Sequence, residues 1–110
     1  MPLLERVRVE VYLPDLPSPA YQNLLSSFEE ELTYAFGGST ALRGLEGNYL
    51  SEFGERVQDR INLLYSDAPF ALSTNSASVA AYVRELKNAA MEALSEESIL
   101  ISVERVFHAV

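Results

Sequence analysis

The sequence predicts an α+β fold in which four strands and two helices follow one another in the order β-α-β-β-α-β. Three observations lead to this fold class. Residues 6–13 alternate between polar and apolar side chains, the pattern of a strand with one buried face. Two later segments, 19–36 and 76–94, repeat apolar residues at helical spacing. Between them, the glycine-containing segment Glu52 to Glu55 separates two strand-like runs and therefore predicts a hairpin.

The first strand and the first helix have clear boundaries. The strand places four aliphatic residues on one face: Val7, Val9, Val11 and Leu13. Ser18 and Pro19 are typical of a helix start, because the hydroxyl caps a free backbone N–H and proline suits the first helical position. After the apolar residues of the helix comes Gly37, which we expect to end it in a left-handed conformation.

The second half of the chain completes the pattern. Residues 39–50 form a strand in which two glycines, Gly44 and Gly47, predict a bulge or a bend. Residues 55–65 form a strand that we orient with its odd-numbered side chains towards the core. A loop over 66–75 leads to the second helix, and Ser98 to Phe107 forms the last strand.

The order of elements restricts the topology. Right-handed crossover connections place the first and third strands in the centre of an antiparallel sheet and the second and fourth at its edges. Both helices then cover one face, which gives the split β-α-β sandwich of ferredoxin-like domains. With 110 residues, the chain is expected to form a single domain, residues 1–110.

Composition argues against several classes of function. The net charge is −8, with 16 acidic and 8 basic side chains, so nucleic acid and anionic membrane surfaces are unfavourable partners. The chain has no cysteine and one histidine, His108, to which we assign no metal and no catalytic role. No catalytic residue and no cofactor is predicted. Glu5 introduces charge too early for a signal peptide, which leads us to expect a cytoplasmic protein.

The sheet face opposite the helices is predicted to carry an interaction surface. Four apolar residues are assigned to it: Tyr12, Leu64, Leu100 and Val106. A contiguous apolar patch on an open sheet commonly marks an interface. A second copy of the chain is the expected partner, since a two-fold interface brings one patch against itself. Association through an exposed edge strand is the alternative.

A polar site near the hairpin is a further hypothesis. Asp59 would lie on the inward face of its strand, where a charge requires a partner, and Arg43 on the neighbouring strand is the first candidate. Tyr49 adds an aromatic group to the same region. Two interpretations stay open for Asp59: a carboxylate satisfied at a strand end, or a polar anchor or general base in a ligand pocket.

The element order, the Phe36-Gly37-Gly38 helix end and the glycine-containing hairpin resemble the dimeric α/β-barrel members of the ferredoxin-like superfamily. The double-glycine turn into Ser39-Thr40 and the Gly44-x-x-Gly47 strand also resemble small uncharacterised bacterial proteins of this fold. The resemblance implies a fold and a dimer, and it transfers no catalytic residue. Two functions follow as hypotheses. One is a homodimeric binding or interaction module that also has room for a small-molecule ligand. The other is a small dimeric-barrel enzyme that acts on an apolar small molecule in a pocket of several hundred cubic ångströms.

Overall fold

The protein is described by a computed structural model over residues 2–95 and 99–110. Its elements in chain order are β1 (Leu3–Pro14), α1 (Pro19–Phe36), β2 (Thr40–Leu50), β3 (Arg56–Ala68), α2 (Ser76–Leu94) and β4 (Leu100–Ala109). The strands form one sheet in the order β2-β3-β1-β4, with antiparallel pairing throughout. The predicted ferredoxin-like βαββαβ sandwich, with β1 and β3 in the centre, is confirmed.

Helix α1 begins and ends at the residues that the sequence predicts. The Ser18 hydroxyl accepts a hydrogen bond from the Tyr21 N–H at 3.2 Å, and Pro19 occupies the first turn. At the other end Gly37 has φ 93°, and its N–H donates to the Thr33 carbonyl at 2.8 Å. This left-handed conformation has little cost for glycine and is unfavourable for residues with a Cβ.

The core lies between the helices and one face of the sheet, which we call the helix-side face. The central strand β1 contributes fully buried side chains at every second position: Val7, Val9, Val11 and Leu13. Helix α1 places Leu25, Phe28 and Leu32 against them, and Leu86 is the corresponding buried leucine of α2. Burial of this apolar surface provides the main stabilisation of the sandwich.

The predicted irregularity in β2 is a β-bulge. The register between β2 and β3 shifts between Leu42 and Leu45, and Gly44 within the bulge has φ 68°. The Gly44 N–H donates to Oδ1 of Asn62 at 2.9 Å instead of joining the strand ladder. The bulge is therefore stabilised by a side chain from the neighbouring strand.

The predicted orientation of β3 is wrong. Its pairing with β1 places Leu64 opposite Val11 and Ser66 opposite Val9, so the even-numbered residues share the face of the buried valines. Leu64 has no exposed surface and belongs to the core. The odd-numbered residues lie on the face away from the helices, which we call the open face: Val57, Asp59, Ile61, Leu63 and Tyr65.

Several element boundaries also differ from the predictions. Strand β3 continues to Ala68, three residues beyond the expected end. Strand β4 begins at Leu100, and the predicted first residue of this strand, Ser98, lies outside the described residues. Within the described part of the chain, neither helix combines the length and the apolar character needed to cross a membrane.

The β2–β3 hairpin extends beyond the rest of the sheet. Strand β1 pairs with β3 as far as the Pro14–Ile61 pair, while β2 and β3 remain paired to Leu50 and Arg56. Five residues of β3 and their partners in β2 therefore project beyond β1 as a two-stranded ribbon. At 3.3 Å per residue, the ribbon is about 17 Å long. The candidate site lies where this ribbon leaves the sheet.

Candidate functional site

The open face carries a row of apolar side chains that crosses all four strands. The row consists of four cross-strand neighbours: Leu42 on β2, Leu63 on β3, Tyr12 on β1 and Leu100 on β4. Directly opposed residues in antiparallel strands bring their Cβ atoms to about 5 Å, so each member contacts the next. We call these residues the apolar row. Leu42 is 44% exposed and Leu100 60% exposed, so the row is open to solvent at both edges of the sheet.

A second set of apolar residues continues the row towards the hairpin. Leu45 lies opposite Ile61, and Tyr49 lies opposite Val57. Tyr49 is 52% exposed. The half of the open face near the ribbon is therefore predominantly apolar, with Asp59 as its acidic residue.

The other half of the open face carries charged residues that bind one another. Arg8 forms two hydrogen bonds to Asp67, from Nε at 2.7 Å and from Nη2 at 2.9 Å. Nε2 of His108 lies 2.8 Å from Oδ2 of the same carboxylate. The Arg8 guanidinium also stacks 4.6 Å from the centre of the Tyr65 ring. The hydrogen bonds from Arg8, assisted by the one from His108, lower the pKa of Asp67.

Two glutamates next to this group, Glu10 and Glu104, shift the pKa values of one another. Contact with Glu104 lowers the pKa of Glu10, and contact with Glu10 raises the pKa of Glu104, because two neighbouring carboxyl groups do not ionise independently. The Tyr12 hydroxyl donates to Oε2 of Glu10 at 2.7 Å, and this bond raises the pKa of Tyr12. The carboxylate of Glu10 therefore fixes the orientation of Tyr12 within the apolar row.

The predicted interaction surface needs one correction. Tyr12 and Leu100 lie in the apolar row, and Val106 is half-buried on the charged half of the open face, opposite Arg6. Leu64 does not belong to this surface, since it is buried under the helices. Leu63 takes its place, because the side chains of neighbouring strand residues point to opposite faces.

The structure brings together two of the three residues of the predicted polar site. Asp59 and Tyr49 line one cavity of about 320 Å³ on the open face, together with Tyr12. Arg43 lies elsewhere, because its Nη2 binds Oε1 of Glu29 on α1 at 2.6 Å. The expected Asp59–Arg43 pair is therefore absent from the described residues.

Asp59 itself differs from the prediction. It is exposed on the open face and not enclosed in the core. Its Oδ1 accepts the N–H of Arg60 at 2.8 Å. The guanidinium of Arg60, by contrast, lies 3.8 Å from Asp15. No ion pair involves Asp59 among the described residues.

Sequence reasoning missed the contact between Asp67 and His108. Asp67 fell in the predicted loop after β3, and His108 lay beyond the predicted end of β4. The alternation of Leu64, Ser66 and Ala68 is the signal that extends β3 through Asp67. Even this signal does not specify the registers of β3 and β4 against β1, which bring Asp67 and His108 together across the open face.

A cavity of about 330 Å³ lies between the two helices, away from the open face. Its walls include Phe28, Leu86 and Tyr82. The Tyr82 hydroxyl donates to Oε1 of Glu31 at 3.1 Å, and burial together with this bond raises the pKa of Tyr82. The contact joins α1 to α2 across the groove.

Comparisons with known proteins add little to this description. No protein-family profile matches the chain, and no curated protein matches it. Among solved structures, the chain is similar to the crystal structure of CutA1 from Oryza sativa, with 18% sequence identity and a TM-score of 0.49. The similar region covers 97% of this chain and 83% of that chain. A likeness at this level carries no argument about function.

Proposed function

We propose that the protein is a small interaction module that forms homodimers through its open sheet face. The observation that supports this function is the apolar row, to which every strand of the sheet contributes. Scattered apolar residues are normal on protein surfaces, but a continuous row flanked by Leu45 and Ile61 forms a patch. Covering such a patch contributes about 25 cal/mol per Å² of apolar surface.

A second copy of the chain is the occupant that fits this surface. A two-fold axis close to the apolar row sets the row of one copy against that of the other, so that both are removed from water together. The charged half of the face does not need a partner, because Arg8, Asp67 and His108 already bind one another. Arg8 is thus held within its own chain.

Net charge opposes this association and offers a test of it. Two copies that each carry −8 repel one another, and salt screens this repulsion. An interface based on apolar contact is not weakened by screening. We therefore expect dimerisation to become tighter as ionic strength rises, whereas association through ion pairs would become weaker.

Sedimentation equilibrium on matched variants tests the proposal. Leu42→Glu places a charge in the apolar row, and Tyr34→Glu places the same charge at a residue of α1 that is 87% exposed. We expect the wild type and Tyr34→Glu to be dimers at micromolar concentration and Leu42→Glu to be a monomer. A monomeric wild type would contradict the proposal. A Leu42→Glu dimer would place the interface elsewhere, for example at an edge strand.

A second candidate is a small enzyme or carrier that acts on an apolar small molecule. The observation that favours it is the cavity of about 320 Å³ beside Asp59 and Tyr49, which lies in the size range of ligand sites. Binding of a small molecule to a variant that cannot dimerise would support this function independently of self-association.

A further inference from the structure

We propose that the cavity lined by Tyr12, Tyr49 and Asp59 is a binding site for organic ammonium ions, that is, quaternary or alkylated amines with a compact apolar body. We call it the tyrosine–aspartate cavity. It lies within one chain at the base of the hairpin ribbon and has a volume of about 320 Å³. The inference names a ligand class and does not depend on whether the chain dimerises.

The two tyrosines provide the first argument. The face of an aromatic ring attracts a cation, and ammonium ions are often bound between such rings. Tyr12 is held in place by the 2.7 Å hydrogen bond from its hydroxyl to Glu10. This bond directs electron density towards the ring, because the hydroxyl donates to a carboxylate. Tyr49 comes from the projecting part of β2 and lines the same cavity.

The charge of the cavity provides the second argument. Asp59 forms no ion pair among the described residues, and one of its oxygens remains available beyond the bond from the Arg60 N–H. The nearby arginines do not neutralise it. Arg56 donates to Oδ1 of Asn48, and the guanidinium of Arg60 lies near Asp15, both on the opposite side of the strand pair. The cavity is therefore negative, which favours a cation over a neutral or anionic ligand.

The remaining walls define the shape of the ligand. Ile61, Ile99 and Leu100 present aliphatic surface to the cavity. Methylated ammonium groups suit such walls, since they carry their charge under an apolar surface and lose less hydration energy than a primary amine. An alkylated ammonium ion thus matches the aromatic, the acidic and the aliphatic walls together.

Choline and its carbon isostere form the pair of probes. The isostere replaces the ammonium nitrogen by carbon, so that shape is retained and charge is removed. Binding is measured by titration calorimetry and by shifts of the tyrosine ring signals in NMR spectra of the full chain. We expect choline to bind at least about fivefold more tightly than the isostere, the size of a cation–π contact with a carboxylate nearby.

Variants identify the residues responsible. Asp59→Asn keeps an oxygen for the Arg60 N–H and removes the charge, so we expect choline affinity to fall about fivefold or more. Glu46→Gln is the matched control, because it removes the same charge from the same ribbon at a position outside the cavity. Tyr49→Leu keeps an apolar wall and removes an aromatic ring. It should therefore weaken the binding of choline more than the binding of the isostere.

Three results would overturn the inference. The first is equal binding of choline and its isostere. The second is an equal loss of affinity in Asp59→Asn and Glu46→Gln, which would mean that choline responds to overall charge alone. The third is the absence of choline binding to Leu42→Glu as well as to the wild type. Binding to a monomeric Leu42→Glu, whose substitution lies outside the cavity, supports the inference even if self-association fails.

Discussion

At the scale of single residues, Asn62 connects several parts of the fold. Its Nδ2 group donates to the Tyr21 hydroxyl at 3.1 Å and to Oδ1 of Asp15 at 3.2 Å, and its Oδ1 accepts the Gly44 N–H. The side chain is only 2% exposed, and its partner Tyr21 is buried to the same extent. One buried amide thereby fixes the bulge in β2, the start of α1 and the end of β1.

The first prediction concerns this amide. Asn62→Ala leaves the buried Tyr21 hydroxyl and the half-buried Gly44 N–H without this partner and should lower the free energy of unfolding by about 2–3 kcal/mol, the cost of unsatisfied buried groups. Urea unfolding measures the change. Asn48→Ala removes an exposed amide from β2 and should cost under about 1 kcal/mol. Equal effects of the two substitutions would contradict the assigned role.

The second prediction concerns Asp67 and pH. Arg8 lowers the pKa of Asp67 in the folded state, so this carboxylate stabilises the fold above its unfolded pKa of about 4. That stability is lost as pH falls through the lower folded pKa. We therefore expect wild-type stability to fall more steeply than that of Asp67→Asn between about pH 5 and pH 2. The measurement is urea unfolding at several pH values.

A control separates this pair from the general effect of acid. Glu30→Gln removes one negative charge at an exposed position of α1. Its stability should decrease with acid as steeply as that of the wild type. If the stabilities of Asp67→Asn and Glu30→Gln decrease equally with acid, the Arg8–Asp67 contact does not cause the loss of stability at low pH.

At the scale of elements, the sequence predicts where α1 begins and ends better than it predicts which way a strand faces. Helix α1 follows from its cap, its proline and its terminal glycine, all of which act locally. The orientation of β3 is different, because Leu63 and Leu64 are adjacent and either face has apolar residues. Pairing with β1 decides between them, and that contact is distant in sequence.

The dependence of strand orientation on pairing between distant segments also limits what the sequence indicates about the site. Tyr12 and Leu100 could be assigned to the open face because their own strands alternate clearly. Asp59 and Tyr49 were expected to lie close together, and the cavity joins them. The assignment of Arg43 as a partner was wrong, since a bulged strand gives no reliable guide to the direction of its side chains.

A third prediction tests the end of α1. Gly37→Ala forces a residue with a Cβ into a backbone with φ 93°, although no neighbouring atom blocks the added methyl group. The cost is therefore conformational and should be about 1 kcal/mol. Thermal unfolding followed by circular dichroism measures it. Gly38→Ala is the control, because its φ is not in the left-handed region, and an equal loss in both variants would contradict the explanation.

At the scale of the whole molecule, the sandwich has one covered and one uncovered sheet face. Helices α1 and α2 pack against the helix-side face. The open face presents the apolar row, the charged half and the tyrosine–aspartate cavity. Tyr12 and Leu100 belong both to the row and to the cavity wall, so association through the row would cover part of this cavity. Self-association and ligand binding are therefore expected to influence one another, and a ligand that prefers one state will shift the equilibrium towards it.

Because the chain has no cysteine, a single introduced thiol is unique and reports directly on dimerisation through the open face. Leu42→Cys places it in the apolar row, and Tyr34→Cys places it on the outer surface of α1. The rate of thiol alkylation is measured as protein concentration is raised through the dimerisation range. We expect the Leu42→Cys thiol to become protected from alkylation while the Tyr34→Cys thiol reacts at a constant rate. Dimers in which the Leu42→Cys thiol remains fully reactive would contradict this expectation.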